Sequence, residues 1–328
     1  MERLSVPDNR TCDGPQPLIS VVVPFYNEEE NARAAVTALL ALQADAPGCN
    51  FQIICVNDGS RDGTLDVLRD LALTNSSVVV LDLIRNFGKE AAMTAGLDFA
   101  TGDALVFIDG DLQHPPSLIP EMIRRWQGGT RSVAAKRRTR NTDSYLYRLL
   151  TAYFYRVSNR ISDITLIDGV GDFRLIDKTI ADDLRRLKEN RRFMKGLFAW
   201  ADPDPQLLEY DVSPRSAGSS SFNGWRSWNF ALEGITSYST IPLRLWTYVG
   251  LALIALGGTY ASWVVIQALL YGVTAPGYVT LLSAVILFGG IQLIGIGVLG
   301  EYVGRIYMEV KERPPYLVRS VLNDPRNT

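Results

Sequence analysis

The sequence predicts an α/β protein with a mostly parallel sheet, followed by apolar helices toward its C-terminal end. Short apolar runs alternate with helical segments from residue 18 to about residue 136, a pattern typical of a sheet covered by helices on both faces. Polar turns follow four of these runs, and two long runs with almost no charge come after residue 244. Together, these features indicate a globular domain joined to a helical hairpin.

Each strand is predicted from a short apolar run bounded by turn residues. We expect strands at residues 18–24, 51–56, 78–84 and 104–108, and intervening helices that end near residue 43 or cover 65–73 and 89–100. Ligands bind beyond the carboxyl ends of the strands in such sheets. The polar turns at those ends are residues 26–28, Asp58, residues 85–89 and residues 109–113. The sequence therefore predicts one site at one edge of the sheet.

An acidic pair, Asp109 and Asp111, directly follows the fourth apolar run. At the end of a buried strand, two carboxylates with this spacing emerge into a turn where both can bind. Mg²⁺ or Mn²⁺ takes one or two carboxylates together with phosphate oxygens of a substrate. The turn is therefore a candidate site for a divalent cation and a nucleotide diphosphate.

Charge and motif content argue against several classes of function. The 33 basic and 35 acidic residues nearly balance, so nothing indicates nucleic-acid binding. Three cysteines and the single His114 lack the spacing of a zinc site. Neither G-x-G-x-x-G after the first strand nor G-x-x-x-x-G-K-[ST] is present, which argues against a dinucleotide-binding protein or an NTPase.

The last third of the chain predicts membrane attachment. Residues 246–271 carry no formal charge and residues 279–303 carry only Glu301, and each run exceeds the roughly 20 residues that cross a bilayer. Basic residues flank the pair of runs, whereas the connection 272–278 is uncharged. We therefore expect an integral membrane protein with two spans, in which both termini and the globular domain are cytoplasmic.

Composition divides the chain into five expected segments. Residues 1–17 are polar and form a flexible N-terminus that is not a signal peptide. The globular domain covers 18–212, and the aromatic-rich residues 213–243 form interfacial helices at the membrane. Residues 244–305 form the hairpin, and 306–328 form a cytoplasmic tail.

Two features each have two interpretations. Aromatic and basic residues interleave over residues 145–161, which is consistent with a helix at a membrane interface or with a helix packed on the sheet. Gly300 and Gly304 form a G-x-x-x-G pattern that suits packing within the hairpin as well as it suits a homo-oligomer.

Four motifs in this order resemble a known family. They are Val23-Pro24-Phe25-Tyr26-Asn27-Glu28, Asn57-Asp58-Gly59-Ser60-Arg61-Asp62-Gly63-Thr64, Arg85-Asn86-Phe87-Gly88-Lys89 and Asp109-Gly110-Asp111-Leu112-Gln113-His114-Pro115-Pro116. The set resembles the family 2 glycosyltransferases of GT-A fold, and more narrowly the polyprenyl-phosphate enzymes related to dolichyl-phosphate mannose synthase. Residues 215–222 and 228–244, followed by two apolar runs, are similar to the membrane-anchored bactoprenol glucosyltransferase branch.

The resemblance implies roles for individual residues. The residues expected to hold the nucleotide are Pro24, Tyr26, Glu28, Asp58, Lys89, Asp109 and Gly110. The residues expected at the metal are Asp109, Asp111 and Gln113. The residues expected at the acceptor or donor phosphate are Arg174, Arg215 and Ser220. Asp172 is the candidate for positioning the acceptor or taking a proton, and Asp168 is the runner-up.

The implied activity is transfer of glucose from UDP-glucose to undecaprenyl or another polyprenyl phosphate at the cytoplasmic leaflet, with inversion and with Mg²⁺ or Mn²⁺. Other donors for the same chemistry are GDP-mannose, UDP-N-acetylglucosamine and a UDP-aminoarabinose derivative. A processive polysaccharide synthase would need a Q-x-x-R-W motif, but Met122 stands where its glutamine belongs. A non-catalytic sugar-nucleotide sensor in the membrane is the alternative from a different class.

Overall fold

The computed structural model describes residues 16–138, 167, 169–187, 189, 192–211, 241–271, 277–324 and 326. The predicted site residues Asp168, Arg215 and Ser220 lie outside the described residues, as do residues 145–161 and most of the expected interfacial segment. The chain forms two compact units, one built around a sheet and one built from the two long helices near the C-terminal end.

The first unit contains one mixed sheet with its covering helices. Its strands in the described chain are β1 (Leu18–Phe25), β2 (Asn50–Asn57), β3 (Val78–Leu83), β4 (Ala104–Phe107), β5 (Ser132–Arg137), β6 (Val170–Asp177), β7 (Gln206–Tyr210) and β8 (Val318–Leu322). Its helices are α1 (Glu29–Asp45), α2 (Thr64–Thr74), α3 (Lys89–Phe99), α4 (Ile119–Gln127), α5 (Lys178–Arg186) and α6 (Met194–Ala201).

The strand order in the sheet is β7-β5-β6-β4-β1-β2-β3-β8. The central strands β4, β1, β2 and β3 run parallel, as the alternation of strands and helices predicts. Strand β6 is antiparallel to β4 and β5, and β8 is antiparallel to β3. These two antiparallel additions were not predicted, because both lie beyond residue 136, where the alternating sequence pattern ends.

The core lies on both faces of the central strands. Val21, Val22 and Val23 of β1 are all fully buried, which is the pattern of a strand covered on both sides. Helix α3 packs closely on β1 at Gly96. A Cβ added to this glycine would lie only 2.1 Å from a methyl carbon of Val22. This close contact fixes α3, and with it the position of Lys89 at the beginning of the helix.

Arg125 and Trp126, which imitate the end of the synthase motif, belong to the packing of α4. Trp126 is buried, and its indole N–H donates to Oδ2 of Asp177 at 2.8 Å. Arg125 donates to the carbonyl oxygen of Leu207 at 3.1 Å. The pair therefore holds α4 against the sheet, away from the polar turns at its edge.

The second unit consists mainly of α7 (Ile241–Tyr271) and α8 (Tyr278–Val310). An added Cβ at Gly295 would lie 3.5 Å from the ring of Trp246, whereas one at Gly300 or Gly304 would meet no described atom within 4 Å. The helices therefore touch at Gly295, and the G-x-x-x-G pair does not form that contact. Within the described residues, no helix combines the length and the apolar character that crossing a membrane requires.

Candidate active site

A cleft of about 440 Å³ lies beyond the carboxyl ends of the central strands. Nine residues predicted from the sequence line it, namely Pro24, Tyr26, Glu28, Asp58, Lys89, Asp109, Gly110, Asp111 and Gln113. The predicted nucleotide and metal residues are therefore brought together at one site. Asn86, which belongs to the predicted turn 85–89, also lines the cleft, as does Arg137. Sequence reasoning missed Arg137, although a basic residue directly after an apolar run was a signal for it.

One wall of the cleft is the Asp58 turn, formed by residues 57–60 after β2. The Asp58 carboxylate accepts hydrogen bonds from the backbone N–H groups of Phe87 at 2.7 Å and Gly88 at 2.9 Å. Burial raises the pKa of Asp58, and these two N–H groups offset part of the rise. Two neighbouring turns are thus joined through one buried carboxylate.

Glycine is required in the Asp58 turn for two reasons. Gly59 has a φ of +62°, in the left-handed region, and an added Cβ would lie 2.3 Å from the carbonyl carbon of Arg85. Either feature alone would disfavour a side chain. The Asp58 turn is therefore pressed against the turn after β3, with no room to shift.

The turn after β1 is tied to the same wall. The N–H of Asn27 donates to the Ser60 hydroxyl at 3.1 Å, and the Asn27 side chain accepts from the N–H of Arg61 at 2.9 Å. Tyr26, next to Asn27, is 43% exposed and lines the cleft. Its ring is therefore available to stack on a planar ligand.

Lys89 and Asp109 line the cleft, and together with Asp172 they form an acidic centre. The Lys89 ammonium lies 2.6 Å from Oδ1 of Asp109 and 2.7 Å from Oδ2 of Asp172. Strands β4 and β6 are paired neighbours, so the two carboxylates approach each other, and the cation between them offsets their repulsion.

The charges of the acidic centre stabilise one another. Burial alone would lower the pKa of Lys89, but Asp172 and Asp109 raise it above its usual range. Burial alone would raise the pKa of Asp109 and of Asp172, but Lys89 holds both below the usual range of a carboxyl group. All three groups are therefore ionised at neutral pH. Among the described residues, Oδ1 of Asp172 has no hydrogen-bond partner.

His114, which follows the acidic pair, contacts the second carboxylate oxygen of Asp109. It is 3% exposed, and its Nε2 lies 3.5 Å from Oδ2 of Asp109. Its Nδ1 lies 2.6 Å from the hydroxyl of Tyr210, which also accepts a hydrogen bond from Arg137 at 3.3 Å. A buried polar chain therefore joins Asp109 to a cation on the cleft wall.

Residues 109–113, which follow β4 and are called the acidic turn below, offer oxygen ligands for a divalent cation. Leu112 has a φ of +59°, and Oδ1 of Asp111 accepts from the N–H of Gln113 at 3.1 Å. Within the described residues, no group of three or more His, Cys, Asp or Glu side chains is arranged to hold a metal ion. However, Mg²⁺ commonly takes only one or two carboxylates and completes its shell with waters and substrate phosphates. The donor set of Asp111 and Gln113 fits that chemistry.

Arg174, predicted to meet a phosphate, is buried beside the acidic centre and is not among the residues lining the cleft. Its guanidinium donates to the carbonyl oxygen of Gly171 at 2.7 Å and lies 4.2 Å from the centre of the Phe198 ring. Burial lowers the pKa of Arg174 to about 10, so the group stays charged at neutral pH. In this arrangement it supports the strand that carries Asp172.

Glu90 is a partly buried acid beside the acidic centre that sequence reasoning missed. Burial and, next, the charge of Asp172 raise the pKa of Glu90 to about 7. Its Oε2 accepts from the N–H of Met194 at 2.9 Å. Glu90 therefore ties the beginning of α6 to the acidic centre, and its place next to Lys89 in the sequence was the available signal.

Comparison with known proteins places this site in a family. The profile described as glycosyl transferase family 2 matches residues 20–185, which contain the acidic turn, the Asp58 turn and Asp172. The chain belongs to glycosyl transferase family 2. A second profile, described as the GtrB C-terminal hairpin, matches residues 241–306.

Relatives of the same family cover almost the whole chain. The SfII prophage-derived bactoprenol glucosyl transferase of Shigella flexneri is 46% identical over 301 residues, which are 92% of this chain and 97% of that protein. The prophage bactoprenol glucosyl transferase homolog of Escherichia coli K12 is 44% identical over 92% of this chain and 99% of its own.

A solved structure gives a looser match. The mannosyl-3-phosphoglycerate synthase of Rubrobacter xylanophilus covers 67% of this chain and 73% of its own, with 18% identity and a TM-score of 0.47. The family and the cleft together identify the chain as a glycosyltransferase, and they confirm the GT-A domain expected from the four motifs.

Proposed function

We propose that this glycosyltransferase moves glucose from UDP-glucose to undecaprenyl phosphate, or a related polyprenyl phosphate, with inversion at the anomeric carbon. The observation that carries the proposal is the cleft. In it, the residues predicted to bind a nucleotide and the acidic turn adjoin the Lys89–Asp172 pair. Relatives named bactoprenol glucosyl transferases, 46% and 44% identical, support the choice of lipid and sugar.

The Asp58 turn would receive the base of the donor. An ionised carboxylate has about four acceptor positions, and Asp58 uses two of them for backbone N–H groups. Its remaining capacity suits the N–H of a uracil ring. Tyr26, exposed on the same wall, would stack on the base.

The acidic turn would hold the diphosphate. Asp111 and Gln113 line the cleft and would hold Mg²⁺ or Mn²⁺, which when bound neutralises charge on the departing nucleoside diphosphate. Arg137 also lines the cleft and is kept in place by a hydrogen bond to Tyr210. A fixed cation at this position stabilises developing negative charge without reorganisation during the reaction.

Asp172 would orient the acceptor end of the site without acting as a strong base. A phosphate monoester has a second pKa near 6, so the lipid phosphate is already largely ionised at neutral pH. The pKa of Asp172 lies below its usual range, although burial opposes this, because Lys89 and Lys195 stabilise the carboxylate. A carboxylate this weakly basic gains little by taking a proton. Holding Lys89 where a phosphate oxygen can meet it is the more useful role.

We also propose that residues 244–305 anchor the enzyme in the membrane by two spans, with both termini and the catalytic domain cytoplasmic. The support is the pair of uncharged runs with basic flanks and the match of residues 241–306 to a C-terminal hairpin profile. Large apolar side chains are exposed along both helices, among them Leu269 and Leu293. An acceptor phosphate at the headgroup level requires such a location. Retention of the chain in membranes after alkaline extraction, and its release by detergent, is the expected result.

The test is transfer of radiolabelled sugar from UDP-glucose to undecaprenyl phosphate in detergent, with and without Mg²⁺ or Mn²⁺. We expect labelled lipid that requires the metal and disappears in Asp111→Ala and Asp172→Ala, while Asp66→Ala on the exposed face of α2 keeps wild-type activity. Product from GDP-mannose or another nucleotide sugar, with none from UDP-glucose, would show that UDP-glucose is the wrong donor. UDP binding without labelled lipid from any donor would favour the sensor.

A further inference from the structure

The last strand of the sheet, β8, carries a cation that reaches into the neighbouring strand. Arg319 of β8 donates from Nη2 to the carbonyl oxygen of Ile84 at 2.8 Å, and its Nη1 lies 3.3 Å from Oδ2 of Asp82. Strands β8 and β3 are antiparallel neighbours, with Ser320 opposite Asp82. Arg319 therefore grips both the end of β3 and a carboxylate within it.

Asp82 is a buried carboxylate with 1% of its surface exposed. A buried negative charge is costly unless a cation and hydrogen bonds compensate it. Arg319 provides the cation, and the side-chain amide of Asn57 donates to the other oxygen, Oδ1, at 2.8 Å. Asp82 thus joins Arg319 on one side to Asn57 on the other.

Asn57 in turn shapes the Asp58 turn. It is 1% exposed, and its side-chain oxygen accepts from the N–H of Ser60 at 3.3 Å, which closes the turn around Asp58. The close approach of Gly59 to the backbone of Arg85 restricts movement of the turn on its other side. A rotation of the Asn57 side chain would therefore be transmitted to the Asp58 carboxylate.

We propose that Arg319 is a positioning residue for the nucleotide site. It fixes the position of the Asp82 carboxylate, Asp82 fixes Asn57, and Asn57 sets the Asp58 turn that forms one wall of the cleft. A strand encoded after both long helices thereby helps to shape a site whose other residues come from the first half of the chain. This inference rests on the proposed function only in that the cleft binds a nucleoside diphosphate.

The experiment compares Arg319→Gln with Arg326→Gln in the full-length chain. Arg326 is a suitable control because it lies in the same C-terminal segment and pairs with Asp324 at 2.8 Å, without contacting Asp82. UDP affinity with Mg²⁺ is measured by calorimetry, donor KM and kcat by lipid labelling, and folding by thermal unfolding.

We expect Arg319→Gln to weaken UDP binding about tenfold, the lower end of the effect of mutating groups that support a site. Donor KM should rise by a similar factor, and kcat at saturating donor should stay within about twofold of wild type. A merely structural loss would lower the active fraction, and hence kcat, without changing KM. Arg319→Lys should recover part of the affinity because it keeps the charge next to Asp82.

A second pair of variants isolates the contact with Asp82. Asp82→Asn in the Arg319→Gln background removes the uncompensated charge and leaves an oxygen for Asn57. We expect this double variant to bind UDP more tightly than Arg319→Gln alone. If Arg319→Gln fails to fold, Arg319→Lys takes its place and should show a smaller rise in KM than the tenfold expected for Gln.

Two negative results have different meanings. If wild type binds UDP and a folded Arg319→Gln binds it equally well, the positioning role of Arg319 is wrong while the proposed function stands. If folded wild-type protein binds no nucleoside diphosphate at all, the proposed function itself is wrong, and this inference fails with it.

Discussion

At the Asp58 turn, a buried carboxylate accepts from two backbone N–H groups, whereas at the acidic centre an ammonium group lies between two carboxylates. The first arrangement fixes a shape, because three turns are locked together by hydrogen bonds and by the close contact at Gly59. The second fixes a balance of charge, because Lys89 is the cation that allows Asp109 and Asp172 to face each other. Changes at the turn should therefore affect binding, and changes at the centre should affect chemistry.

The largest effect is expected from Lys89→Met. Without the ammonium, Asp109 and Asp172 repel each other and a phosphate loses its cation, so sugar transfer at pH 7 should fall by at least about 100-fold. Lys89 lowers the pKa of Asp172, so its removal should raise that pKa. On acidification, the variant should therefore lose the activity that depends on the ionised carboxylate at a higher pH than wild type does. A pH–rate profile of the lipid-labelling reaction measures both changes.

Two controls accompany this variant. Lys178→Met, at an exposed position at the beginning of α5, should behave like wild type. Lys89→Arg keeps the charge and should leave the acid limb of the profile close to its wild-type position. An unchanged rate in Lys89→Met would show that the balance of charge does not matter to the chemistry.

A smaller and different effect is expected from Asp58→Asn. An amide has a single acceptor oxygen, so one of the N–H groups of Phe87 and Gly88 would lose its partner. A hydrogen bond to a charged group contributes about 1.5–3 kcal/mol, and we therefore expect UDP binding to weaken roughly 10- to 100-fold. Calorimetric titration measures this change, with exposed Asp66→Asn as the control. If kcat of Asp58→Asn fell as much as that of Lys89→Met, the Asp58 turn would affect chemistry as strongly as the acidic centre does, and the proposed division of roles would be wrong.

The smallest effect is expected from Glu90→Gln and concerns stability. Burial, with the charge of Asp172, raises the pKa of Glu90 to about 7, above the value near 4.3 of an unfolded chain. Between these values the folded state binds more protons than the unfolded state, so the stability of wild type falls as pH rises through this window. The amide of the Glu90→Gln variant cannot titrate but can still accept from Met194. The Tm of the variant relative to wild type should rise by a few degrees from pH 5 to pH 8. A pH-independent difference would contradict the raised pKa.

The Asp58 turn was easier to predict from the sequence than the acidic centre. Asp58, Tyr26 and the acidic pair follow strands that alternate with helices, and parallel strands end at the same edge. That rule brought nine predicted residues to one cleft. No such rule predicts which side chain meets which, so the place of Lys89 between Asp109 and Asp172 could be found only in three dimensions.

The contacts that support the site depend on pairings between distant residues. Glu90 meets Met194 across 104 positions, and Arg319 meets Asp82 across 237. Local periodicity contains no information about such pairs. Antiparallel β6 and β8 were missed for the same reason, since the sequence before each of them shows no regular alternation of short apolar runs and helical segments.

The position of β8 in the chain has a consequence for biosynthesis. Domains begin to fold while the ribosome is still adding residues, yet β3 at residues 78–83 cannot pair with β8 until residues 318–322 have been made. Both long helices are translated in between. Throughout that interval β3 has an unpaired edge, the kind of surface that recruits strands from other chains. The nascent enzyme would therefore need protection from aggregation until the last strand of its sheet emerges.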